Sequence, residues 1–338
     1  MNPLPASERG RDPERDEERR IYYLGLPKTE THLHIEGALP WRLLHQLDPV
    51  RFAEPPAFWE DEYRFSDFAA FEEPLLAMAM AWYNSPERYH IAAKEVFREL
   101  AEQNVRYVET SFASGILEFL GLDGAEVAEA IHTAAPHGMT VRVFLGIHHN
   151  GFHEGTRGFL EDSLSWGHLH GIDLHGDESL PMEPWTAPFY HAARTAGLFT
   201  KAHAGELLGA EFVWRVLREL EVTRIEHGVR SSEDPALVAH LAKTGVALDV
   251  CPVSNVKLRV APSLREHPLA QLHAAGVTCT LNTDDPLVFG NHLTEEYVRL
   301  EREGILSRSD LTEIARNGFK VALLPEADKE RHLRDSAD

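Results

Sequence analysis

The sequence predicts an α/β fold, a (β/α)8 barrel, and three observations carry that reading. Eight short apolar runs recur along the 338 residues. Amphipathic segments of helical period intervene between them. Histidines and acids that could do chemistry collect where the runs stop, the end at which such barrels build their sites.

The runs, in order, are "HLHIEG" (32–37), "VRYVETSF" (105–112), "TVRVFLGI" (140–147) and "GIDLHGDE" (171–178). They continue with "LFTKAHAGE" (198–206), "VTRIEHGV" (222–229), "GVALDVCP" (245–252) and "GVTCTLNT" (276–283). Strands covered on both faces can run nearly all apolar. Among the helical segments, "ERYHIAAKEVFRELAEQN" (87–104) precedes the second strand and "DGAEVAEAIHTAAPHG" (123–138) the third. "AEFVWRVLRELE" (210–221) and "DPALVAHLAKTG" (234–245) precede the sixth and seventh. The first unit is oversized: residues 38–87 carry the aromatic-rich "FWEDEYRFSDFAAFEEPLLAMAMAWY". Two readings stand for this helical insertion after strand 1: helices padding the side of the barrel, or an apolar lid over its mouth.

Residues 1–20 are charged and carry two prolines, which reads as a disordered tail. Residues 21–326 read as a single (β/α)8 domain, and 327–338 as a C-terminal tail that frays. The net charge of −21 disfavours nucleic acid and anionic membrane as partners. With only Cys251 and Cys279, no disulfide framework is implied. The chain shows neither a signal-type apolar segment at its N-terminus nor a run of about 20 apolar residues. It reads as soluble and cytoplasmic.

The strand ends hold the chemistry. His32 and His34 are spaced i, i+2, so both imidazoles share one face of an extended segment. His203, and Glu206 three residues on, fall on strand 5, His227 on strand 6, and the pair Asp284–Asp285 at the end of strand 8. Neighbouring strand residues point in opposite directions, so the two aspartates have different surroundings. Closure brings strand 8 beside strand 1. Imidazoles with one carboxylate suit Zn2+, and a position left for water makes such a site catalytic.

Six segments in order, "PKTETHLHIEG", "GDE" (176–178), "KAHAGE", "RIEHGVR", "CPVSNVKL" and "LNTDDP", resemble the adenosine deaminase family of amidohydrolase-type barrels. They run from residue 27 to 286. The resemblance implies one Zn2+ per chain, with His32, His34, His203 and Asp284 as ligands. It implies Glu206 as the acid serving a purine ring nitrogen, His227 as the group that orients or deprotonates water, and Asp285 as the partner of that water and of purine N7. Substrate contacts fall to Glu36, Gly176, Asp285 and His34. The implied reaction is hydrolytic deamination of a small-molecule 6-aminopurine nucleoside, adenosine by default, with adenine or aminodeoxyfutalosine as alternatives. Glu36 is typical of the adenine branch, whereas "GDE" has the nucleoside-branch form.

Other classes fit less well. A two-metal amidohydrolase commonly needs a lysine at the end of strand 4, and "GIDLHGDE" has none. A non-catalytic zinc module has no need of Glu206, His227 and Asp285. "HIE" (34–36) is not followed by the P-C-x-x-C of nucleic-acid base deaminases. His148, His149 and His153 read as loop residues or, alternatively, as substrate contacts, His175 as packing or solvent-facing, Cys251 as a small buried residue, and Ser254 and Asn255 as shaping the barrel rim.

Overall fold

The computed structural model describes residues 12–336. Eight parallel strands pair in sequence order: β1 (Lys28–Glu30), β2 (Val105–Ala113), β3 (Thr140–His148), β4 (Gly171–His175), β5 (Phe199–Ala204), β6 (Arg224–His227), β7 (Ala247–Val250) and β8 (Cys279–Leu281). The sheet curls into a barrel with helices outside, as the alternation of runs predicts. Its last seam, β8 against β1, is closed beyond the strand ends by Asp284 N–H donating to His32 O and His34 N–H donating to Asp284 O, both at 3.2 Å.

The first strand lies earlier than its apolar run suggests. β1 is the polar triplet Lys28–Glu30, and His32–Gly37 continue past it with only isolated pairings, Leu33 to Asp284 and His34 to Ser111. Side chains take over the ladder there: Thr31 N–H donates to Asn282 Oδ1 at 2.7 Å, and Thr283 N–H to Glu30 Oε1 at 3.1 Å. Lys28 stays buried because its ammonium reaches the carbonyls of Tyr23 and Leu26.

The barrel interior also departs from a nearly apolar filling. Glu109, Asp173, Lys201, Arg224, Glu226 and Asp249 are all buried. Arg224 Nε donates to Asp249 Oδ2 at 3.0 Å, and its Nη2 lies 3.4 Å from Glu109 Oε2. Lys201 Nζ sits 2.6 Å from Glu226 Oε1 and donates to Thr31 O at 3.1 Å. Buried charges persist only where each meets a partner.

Both predicted tails need correction. Residues 1–11 lie outside the described residues, but Pro13–Gly25 form a helix with Asp12 at its N-cap. Its charges are used rather than solvated: Arg20 pairs with Glu295 at 2.5 Å, and the buried Tyr23 donates to Glu301 at 2.6 Å. At the other end, Glu326–Asp335 form a helix, while 337–338 lie outside the described residues. The His332 ring stacks on Phe319 at 4.7 Å, and Arg316 donates to Leu333 O at 2.7 Å. The insertion divides its labour: helix Trp41–Leu47 packs on the flank, whereas helix Phe68–Trp82 roofs the cleft at the strands' C-terminal end. No helix among the described residues is long and apolar enough to cross a membrane.

Replacing Arg224 by Met would leave Glu109 and Asp249 buried without their shared cation. The expected cost is about 3–5 kcal/mol, read as a lower urea midpoint; an unchanged midpoint would show that the acids repair themselves.

Candidate active site

At the seam, four donor atoms face one another. His203 Nε2 lies 3.1 Å from His32 Nε2 and 3.3 Å from His34 Nε2. Asp284 Oδ1 lies 3.2 Å from His32 Nε2 and 3.3 Å from His34 Nε2. Such a ring of lone pairs is repulsive without a cation. Its edges suit ligands about 2 Å from a common centre, the reach of Zn–N and Zn–O bonds.

The opposite nitrogen of each imidazole is held from behind, which frees Nε2. His32 Nδ1 lies 3.2 Å from Asp249 O, and His34 Nδ1 2.8 Å from Ser111 Oγ. His203 Nδ1 meets Leu174 O at 3.0 Å and Asp173 Oδ1 at 3.2 Å. Glu226 Oε2 is nearer still, at 2.9 Å, and makes a charge contact there rather than an aligned hydrogen bond. Ser254 Oγ donates to Asp284 Oδ2 at 2.7 Å. This outer layer fixes tautomer and ring orientation at metal sites.

Backbone conformation aims two of the side chains. His227 and Asp284 have φ of 60° and 67°. Non-glycine residues in that left-handed region cost about 1–3 kcal/mol and persist only where surroundings over-determine them. The seam hydrogen bonds do so for Asp284. For His227 the side chain is fixed by Asn255, whose Nδ2 lies 3.1 Å from Nδ1.

Glu206 and His227 stand beside the ring. His227 Nε2 is 3.5 Å from Glu206 Oε2 and 3.9 Å from Asp284 Oδ2. Burial, then the charges of Asp284 and Glu178, push the Glu206 carboxyl well above its usual range. Burial holds His227 neutral, well below the ordinary imidazole value. Burial also opposes ionisation of Asp284, but the neighbouring His32 and His34 hold its carboxyl well below the usual range.

The adjacent aspartates do differ. Asp284 joins the ring, whereas Asp285 lines the cleft, and its Oδ1 has no partner among the described residues. Burial and Asp284 push the Asp285 carboxyl up. Gly37 makes room for it: a Cβ there would lie 1.6 Å from Asp285 Oδ1. Glu36 is buried with Oε1 accepting from Tyr89 OH at 2.7 Å and from Ala113 N–H at 3.1 Å, and burial lifts its carboxyl to about 7. Gly176, at φ 84°, and His34 also line the cleft, which lies under Phe68, Phe71, Leu75 and Leu76.

A model of the family described as adenosine deaminase matches residues 27–338. The chain belongs to the adenosine deaminase family. An aminodeoxyfutalosine deaminase of Streptomyces coelicolor is 33% identical, over 99% of this chain and 89% of that protein. An adenine deaminase of Sphingopyxis alaskensis is 34% identical, over 94% and 96%. The crystal structure of adenine deaminase from Arthrobacter aurescens superposes with a TM-score of 0.82 at 27% identity, over 92% of this chain and 98% of that one. The chain is thus a hydrolase of the aminopurine-deaminating family, on the amidohydrolase-type barrel, with residues suited to a metal at its centre.

The residues that sequence reasoning missed are the supporting ones. Asp173, Glu226 and Asp249 stand in "GIDLH", "RIEH" and "ALDV", and an acid inside an apolar run was the available signal. Glu178, which accepts from Glu206 N–H at 3.1 Å and Leu208 N–H at 2.6 Å, offered none beyond its place in "GDE". His175 packs, as expected, buried with its ring stacked on His34 at 5.4 Å, and it also lines the cleft. His149 lies in the connection after β3, buried against Phe212, and His153 caps its own turn, accepting from Gly155 N–H. Cys251 is buried, as expected.

Gly37→Ala is expected to displace Asp285 while sparing the four-donor ring. Turnover should fall by about tenfold or more with metal content unchanged, since small misplacements at a reacting centre can cost about 10²-fold; parallel turnover and metal assays check it, and full activity would show that the loop yields freely.

Proposed function

We propose that this enzyme hydrolytically deaminates a 6-aminopurine nucleoside bearing a group at its 5′ position, the reaction for which its aminodeoxyfutalosine deaminase relatives are named, with one Zn2+ held by His32, His34, His203 and Asp284. The observation that carries the chemistry is the placing of Glu206 and His227, 3.5 Å apart and buried, beside the four-donor ring, where burial raises the Glu206 carboxyl and lowers the His227 imidazole. Zinc bound there would act as a Lewis acid, bringing the pKa of water to about 7.

The chain's own groups do the rest. His227, with its proton on Nε2 because Asn255 Nδ2 donates to its Nδ1, orients the hydroxide that adds to C6, the proton lost in forming that hydroxide having gone to solvent. Glu206 gives its proton to purine N1, so negative charge does not accumulate on the ring, and later helps return a proton to the departing ammonia as the C6–N bond breaks. Asp285, kept protonated, donates to N7, and Gly176 N–H meets N3. Asn255 supports both proton-handling groups, lying 3.4 Å from Glu206 Oε1 as well as against His227.

The sequence default of adenosine gives way here. The matched relatives quoted above are named for aminodeoxyfutalosine and adenine. Beyond the ring, the cleft extends to the apolar wall of Phe68, Phe71, Leu75 and Leu76, which suits a substituent past the sugar. Free adenine is the second reading. The observation on its side is Glu36, whose carboxyl near neutrality can exchange a hydrogen bond with an unsubstituted N9–H.

Turnover of aminodeoxyfutalosine, adenosine, 5′-deoxyadenosine and adenine separates these. The expected order puts the 5′-extended nucleoside first, with kcat/KM about tenfold or more above adenine, since one lost set of apolar contacts is worth about 1–3 kcal/mol. A preference for adenine moves the assignment to the second reading. Glu206→Gln should keep one zinc by metal analysis and lose about 10²–10⁴ in kcat; near wild-type turnover would remove Glu206 from the reaction.

A further inference from the structure

Two histidines line the cleft without a place in the reaction above. His148 ends β3 and His175 ends β4, and the two are register partners across the sheet. Their rings meet edge to face at 4.6 Å, and His175 stacks on His34. The chain is shaped around them. A Cβ on Gly146 would lie 2.7 Å from His175 Cε1, and one on Gly176 would lie 2.9 Å from His148 Nδ1. His175 is only 8% exposed, yet its Nε2 has no hydrogen-bond partner among the described residues. A buried ring nitrogen left unmade is costly, and a cleft is where a ligand can complete it.

Strand order says which part of the ligand that is. Asp285 follows β8 and Glu206 follows β5. Between them around the rim come Glu36 after β1, Ala113 at the end of β2, His148 at β3, and His175 with Gly176 at β4. A purine with N7 toward Asp285 and N1 toward Glu206 therefore turns its N9 and N3 edge to the sector between β1 and β4. A sugar on N9 has Glu36 on one side and the histidine pair on the other.

We propose that His175, supported by His148, hydrogen-bonds the 2′- and 3′-hydroxyls of the nucleoside and thereby makes the sugar part of what the site recognises. This rests on the nucleoside reading above. Neutral imidazoles suit hydroxyls, since each ring offers one donor and one acceptor. Glu36 is left to face the 5′ side.

The test is binding, free of turnover. Calorimetry on zinc-loaded protein compares purine, purine riboside and purine 2′,3′-dideoxyriboside, none of which has an amino group to lose. Wild type is expected to favour the riboside over its dideoxy analogue by about tenfold, the worth of one or two hydrogen bonds. His175→Phe, which keeps a ring against His34, should abolish that preference, and His148→Phe should reduce it. Should His175→Phe fail to fold, the His148 variant is read alone. Equal weakening toward all three ligands would mean that the pair only supports the fold and would overturn the proposal. Wild type indifferent to the hydroxyls would overturn it while leaving the 5′ reading intact. Wild type binding purine more tightly than its riboside would overturn the nucleoside reading and this proposal together.

Discussion

The structure depends on one seam. Where β8 meets β1, the strands are too short to pair along their length, and the barrel is closed instead by two backbone hydrogen bonds between Asp284 and the His32–His34 segment. Those same three residues present three of the four donor atoms that face each other at 3.1–3.3 Å. Closing the barrel and assembling the site are one event. The left-handed backbone of Asp284 is tolerable because the seam and Ser254 both hold it.

Under the seam lies a second constraint, the electrostatics of a barrel filled with charge. Two cations, Lys201 and Arg224, serve four acids, Glu109, Asp173, Glu226 and Asp249. The excess is negative, directly beneath the imidazole ring, and a divalent cation above it is the complement. Lys201 is committed to Glu226 and Thr31, which leaves it no part as a metal bridge. The same low-dielectric surroundings raise the Glu206 carboxyl and lower the His227 imidazole, and the two groups stand 3.5 Å apart.

Around this centre the specificity elements are spread over different units of the barrel. The roof comes from the insertion after β1, whose helix Phe68–Trp82 gives an apolar face to the cleft. The polar rim comes from the ends of β1 to β4.

By itself the sequence determined the barrel and named the residues that meet at its mouth. Alternating apolar and amphipathic segments leave little choice of architecture, and "HLH", "KAHAGE", "EHG" and "TDDP" can each be recognised without knowing their partners. It did not determine where β1 lies, since Lys28–Glu30 become strand only because the carbonyls of Tyr23 and Leu26 and the Thr283 backbone satisfy them. Nor did it reveal that the charged residues at 13–25 and 326–335 are helical, because what holds them is made with other helices, Arg20 with Glu295 far along the chain and His332 and Leu333 with the helix just before them. The buried network and the place of His175 were likewise decided by tertiary structure. A charge inside a strand or a histidine at its end has opposite meanings according to what faces it, and those neighbours come from other strands, brought near only when the barrel closes.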